Sequence, residues 1–142
     1  MKAKSYRDLE IYQLSRALAM KIHDMSLRLP KYEQYEEGNQ IRKSSKGVSS
    51  CIAEGYGRRR YKNEFIKFLI YAQASCDETG VHLDFIHESG YLNDNDYDTL
   101  LDENDKLGRK INKFTQYVET QWNWMNRNEQ RETSNEKRTS NE

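Results

Sequence analysis

The chain has 142 residues, the length of one domain. Lys plus Arg and Asp plus Glu both number 23, so the formal net charge is zero and a uniformly basic nucleic-acid binder is excluded. With a mean hydropathy of −1.10 and 32% charged residues, no run approaches the roughly 20 apolar residues of a membrane span.

The first residues, MKAKSYRDLE, lack the apolar stretch of a signal peptide. Two cysteines, Cys51 and Cys76, are too few for a disulfide framework, so a reducing cytoplasm is the expected compartment. Apolar residues at Ile11, Leu14, Leu18, Ile22, Met25 and Leu29 recur at steps of three and four. That spacing predicts a first helix, ended by the only proline, Pro30.

A second helix is predicted over 35–57, with Ile41, Ser45, Val48 and Ile52 on its inner face. Ser44, Gly47, Ser49 and Ala53 beside them let a neighbouring backbone come close. A third is predicted over 61–89, with Phe65, Phe68, Leu69, Ala72, Cys76, Thr79, Leu83 and Ile86 as its stripe. Gly90 suits a left-handed cap, and Asn93 and Asp94 suit the start of a fourth helix. That helix carries Leu100, Leu101, Leu107, Ile111, Phe114, Val118 and Trp122.

From residue 126 onward there is no Leu, Ile, Val, Phe or aromatic side chain, and the tetrad TSNE occurs twice. Burial cannot offset the ordering entropy of such a segment, so 126–142 reads as a polar tail outside a 1–125 domain. No strand pattern competes. The expected fold is all-α, an up-down-up-down antiparallel four-helix bundle.

No catalytic set emerges. The acidic stretch from Asp94 to Asp98 resembles the start of a calcium loop, but the sixth position is Thr99 instead of glycine and the twelfth is Asp105. Capping and solvation explain these carboxylates. A di-metal bundle needs Glu-x-x-His twice, and the nearest match, Asp84-Phe-Ile-His87, occurs once. Gly55-Tyr-Gly57 is too short for a nucleotide fingerprint. The expectation is a protein without enzymatic activity, cofactor or metal. Glu54, near a helix end among small residues, is either buried and paired, with Arg58 or the Ser75 hydroxyl, or simply solvated.

The strongest local signal is charge. Residues 40–67 hold Arg42, Lys43, Lys46, Arg58, Arg59, Arg60, Lys62 and Lys67 against Glu54 and Glu64, a net +6. Tyr56 and Tyr61 flank the arginine triplet. Arginine forks match phosphate, and tyrosine stacks on unpaired bases. Residues 84–105 hold eight acids and no Lys or Arg. The blocks read as a phosphate-binding surface, as a self-complementary pair docking copies head to tail, or as ordinary solvated faces.

The runs Gln40-Ile-Arg42, Ser49 through Arg58 with its Ile-Ala-Glu-Gly-Tyr-Gly-Arg centre, Glu64 through Leu69 and Ala72 through Glu78 resemble the four-helix bundle proteins encoded in intervening sequences of 23S rRNA genes. The likeness extends from about Tyr6 to Trp122. Cys51 replaces the family's usual Asn and Ala74 its usual Gly. The resemblance implies a homopentameric ring. It also implies kinship to the accessory protein of diversity-generating retroelements, which binds nucleic acid and a reverse transcriptase. The family name is a genomic location and not a function. The expected contacts to RNA or DNA are Arg42, Lys43, Lys46, Arg58, Arg59, Arg60 and Lys62, with Glu54 and Ser75 as structural polar residues. The expected partners are further copies of the chain and a nucleic acid or protein, not a membrane.

Overall fold

The computed structural model describes residues 3–124, and the tail predicted over 126–142 lies outside them. A single 3-10 turn, Tyr6–Asp8, opens the chain; Ser5 Oγ accepts the Arg7 N–H at 3.1 Å and Asp8 Oδ2 accepts the Ser5 N–H at 3.2 Å. Then come α1 (Glu10–Ser26), a short α2 (Lys31–Tyr35), α3 (Glu37–Gly57), α4 (Lys62–Glu88) and α5 (Asp94–Gln121). The four long helices form the expected antiparallel bundle. Both α1 and α4 pack against α3 and α5, which leaves α1 and α4 on the diagonal.

The predicted stripes build the core. Ile22, Ile41, Ile52, Phe65, Leu69, Leu83, Ile86, Ile111 and Val118 are almost wholly buried. Leu14 departs from its stripe and is 39% exposed. Between α4 and α5 the core is partly polar: Asn104 Nδ2 donates to the Cys76 carbonyl at 3.0 Å, and the Cys76 thiol lies 3.4 Å from Asn104 Oδ1.

The end of α4 and the start of α5 follow local rules. Gly90 has φ +83°, its N–H bonds the His87 carbonyl at 3.0 Å, and the Tyr91 N–H reaches back to Ile86 at 3.1 Å. This is a Schellman ending on the residue type that adopts it without strain. Asn93 Oδ1 accepts the Asp96 N–H at 2.7 Å, capping α5 as predicted.

The end of α1 differs from expectation. The helix proper stops at Ser26, four residues before Pro30, and a tertiary bond meets its last turn. Ser26 Oγ donates to the His23 carbonyl at 2.7 Å and accepts Arg42 Nη1 at 2.9 Å. The chain then turns through tight bonds from Arg28 to Met25 and from Leu29 to Ser26, which bury Leu29. Pro30 stands at the N-cap of α2, where its missing N–H is harmless. Tyr35 closes α2, and Glu36 separates it from α3, so the predicted 35–57 helix is shorter by two residues.

Candidate nucleic-acid interface

The arginine triplet occupies the corner between α3 and α4. The Arg58 N–H bonds the carbonyls of Glu54 and Gly55, closing α3, and the Tyr61 N–H bonds the Arg58 carbonyl at 2.9 Å. Gly55 makes the corner tight: a Cβ there would lie 3.0 Å from the Phe68 Cβ. The close approach brings the Arg58 guanidinium to 4.7 Å from the Phe68 ring centroid.

The three arginines have different surroundings. Arg58 is exposed, with Nη1 3.4 Å from Glu64. Arg60 is exposed and lies 5.9 Å from the Tyr61 ring. Arg59 turns inward and is half-buried. Its Nη1 donates to the Tyr56 carbonyl at 2.9 Å, and its guanidinium sits 4.1 Å from the Tyr56 ring and 5.4 Å from that of Trp124. The Arg59 carbonyl accepts the Trp122 indole N–H at 2.8 Å. Arg59 therefore stitches the end of α5 to the corner. Lys62 is half-buried on the first turn of α4, and exposed Lys67 follows, 4.0 Å from Glu64 and 5.9 Å from both Phe68 and Tyr71.

Arg42, Lys43 and Lys46 do not join this cluster. They lie twelve to sixteen residues earlier on α3, about 18–24 Å along its axis at 1.5 Å per residue. Arg42 is half-buried, and its fork bonds Ser26 Oγ at 2.9 Å and the Gln34 carbonyl at 2.7 Å. It ties α1, α2 and α3 together. Lys46 Nζ lies 3.1 Å from His23 Nδ1, toward α1, and Lys43 is exposed.

Glu54 takes the solvated alternative: it is exposed, and Arg58 meets Glu64 instead. Ser75 is half-buried and packs where α3 and α4 approach, its Oγ 3.4 Å from the place of a Cβ on Gly47. Burial and then the Glu54 charge push the Cys51 thiol above its ordinary value. Burial, reinforced by Asp77 and Asp105, pushes Cys76 to about 12. Both groups are protonated thiols at neutral pH.

The acidic block lies at the far end of α4 and at the start of α5. There His87 stacks on Tyr97 at 3.9 Å and meets Asp94 at 2.7 Å. The Tyr97 hydroxyl donates to Asp84 at 2.6 Å, which, with desolvation, raises it to about 12. Among the described residues no three His, Cys, Asp or Glu side chains group as metal ligands. None of the described helices is long and apolar enough to cross a membrane.

Sequence reasoning missed Phe68 and Tyr71 as parts of the corner. Their rings meet edge to face at 5.6 Å. The signal was present, since Glu64, Lys67, Phe68 and Tyr71 share one helix face at steps of three and four. The helical stripe places Phe68 in the core, whereas it is half-buried.

The 23S rRNA-intervening sequence proteins match residues 7–113. The chain belongs to this family. As a 23S rRNA-intervening sequence protein it carries the whole α3–α4 corner inside the matched region. A crystal structure of a protein of unknown function from the S23 ribosomal protein family of Bacteroides thetaiotaomicron superposes with a TM-score of 0.69 at 17% identity. The match covers 75% of this chain and 95% of that one, and it shows a shared fold. No relative among the curated proteins matches the chain.

Proposed function

We propose that this chain is a non-enzymatic cytoplasmic module that binds RNA or DNA through the α3–α4 corner and assembles with copies of itself. One observation carries the reading. Arg58, Arg60, Lys62 and Lys67 converge at one end of α4, while Asp84, Glu88, Asp94, Asp96 and Asp98 sit at the other. A neutral chain thereby presents a basic end. Phosphates displace counterions from themselves as they meet these cations, so binding is weakly sequence-specific and salt-dependent. Arg59 supports the platform and leaves the contacts to its neighbours.

Self-association is the second reading, in which the charge asymmetry serves subunit docking. Its support is the uncovered face of α4, where Ile70, Val81 and Phe85 are each at least half exposed. The five-membered ring implied by the family resemblance would use such a face.

Filter binding of a structured RNA over a salt series tests the first reading. The variant Arg58→Ala/Arg60→Ala/Lys67→Ala, which spares Arg59, is expected to flatten the log–log salt slope by about 2–3, at roughly 0.7–0.9 per lost phosphate contact. Light scattering of the same variant should show the parent mass. Unchanged affinity, or no binding by the parent at low salt, would refute nucleic-acid binding. Dissociation of the oligomer would assign these cations to docking.

A further inference from the structure

We infer that the corner selects nucleic acid with unpaired bases, a single strand or an open loop, over a duplex. The inference rests on the nucleic-acid reading above and deepens it. Phosphate neutralisation needs cations and makes no use of aromatic surface. The corner alternates the two. Arg58 stands over Phe68 at 4.7 Å, Lys67 lies 5.9 Å from Phe68 and from Tyr71, and Arg60 lies 5.9 Å from Tyr61.

Two of these rings are available to a ligand. Tyr61 is 63% exposed and Tyr71 is 46% exposed. Neither hydroxyl is held by a hydrogen bond among the described residues. Four tyrosines are tied instead: Tyr56 to the Ala3 carbonyl at 3.0 Å, Tyr97 to Asp84 at 2.6 Å, and Tyr91 and Tyr32 to each other. The two exposed rings thus stand among cations without a structural hydrogen bond to keep them there.

The faces of bases within a duplex are covered by their neighbours, so a protruding ring has nothing to stack on. An unpaired base offers its face, and every base has one. Phosphates on Arg58, Arg60 and Lys67 would keep a strand beside both rings. Recognition of this kind reads strandedness and not sequence.

Fluorescence anisotropy at one low salt concentration decides the matter, using labelled oligouridylate and an RNA duplex of equal length. The single strand is expected to bind roughly tenfold more tightly or better, since base–aromatic stacking adds to phosphate contact. Tyr71→Ala should weaken single-strand binding roughly five- to hundredfold and leave the duplex within about twofold, while Tyr71→Phe keeps the parent affinity. Equal or tighter duplex binding by the parent would overturn the inference and leave the nucleic-acid reading standing. An equal loss for both ligands in Tyr71→Ala would also overturn it. If neither ligand binds, the nucleic-acid reading fails and takes this inference with it. Should Tyr71→Ala lose helicity, Tyr61→Ala and the strand comparison on the parent chain decide.

Discussion

Arg42 separates a cation that binds a ligand from one that holds the fold. Its guanidinium makes two bonds inside the protein, to Ser26 Oγ at 2.9 Å and to the Gln34 carbonyl at 2.7 Å. Hydrogen bonds to a charged group contribute about 1.5–3 kcal/mol each, and water reaches a half-buried site in part, so Arg42→Ala should cost roughly 2–4 kcal/mol. For a domain of this size that is roughly 6–15 °C in melting temperature, and a large part of a typical 5–15 kcal/mol total. Arg42→Lys should recover little, because a single compact nitrogen replaces Nη1 and Nη2, which meet their two acceptors from separate, fixed positions. Thermal and urea melts followed by far-ultraviolet circular dichroism read the stability, and the RNA salt series reads the ligand side. The expected pattern is a large loss of stability with an unchanged salt slope. A variant as stable as the parent that binds RNA more weakly would show that the guanidinium faces a ligand, and would refute the reasoning.

Glycine positions on α3 give a paired test. Gly55→Ala places a Cβ 3.0 Å from the Phe68 Cβ, close to the α4 backbone where little can move, so overpacking of about 1–3 kcal/mol should outweigh a helix-propensity gain of up to about 1 kcal/mol. Gly57→Ala meets nothing within 4 Å and should raise the melting temperature, so a drop for Gly57→Ala alone would count against the packing argument. The thiols give a test in pH. With both pKa values raised, each is protonated at neutral pH, and alkylation should quicken as pH rises toward its pKa. Mass spectrometry should find half-buried Cys51 labelled slowly and buried Cys76 labelled only on unfolding. Fast labelling of Cys76 in the folded chain at neutral pH would contradict its packing against Asn104.

The long helices were legible because their apolar residues recur at three and four, and the Gly90 and Asn93 caps because each depends on its immediate neighbours. The exact end of α1 was not, because its last turn tightens over the residues ahead of Pro30, and the contact made there comes from Arg42, sixteen residues beyond Ser26. The same contact removed Arg42 from the candidate surface, since a charge count cannot distinguish a solvated guanidinium from an engaged one. The partner of Arg58 was likewise a matter of direction: Glu54 lies four residues before it, but the turn into α4 brings Glu64 to it. The aromatic side of the corner was hidden by an ambiguity of residue type, since Phe68 on a helical stripe reads as core and only the approach at Gly55 shows its ring under a guanidinium.

The polarity of α4 has a kinetic consequence. The first turn of α4 holds Lys62 beside Glu64 and its last turn holds Glu88 beside His87, so the macrodipole, which acts on end charges at about 0.3–1 kcal/mol each, does not favour this arrangement. Helix stability therefore does not account for the pattern. Separated by about 40 Å of helix, the two ends give a neutral molecule a permanent electric moment. Near a polyanion the two ends are pushed in opposite senses, and the molecule experiences a torque before it experiences a net pull. With a nucleic acid as the partner, as proposed, that torque would turn it corner first as it diffuses and would waste fewer encounters in the wrong orientation. Salt, by shortening the reach of that torque to about 10 Å at 0.1 M, acts on the rate of arrival as well as on the contacts made afterwards.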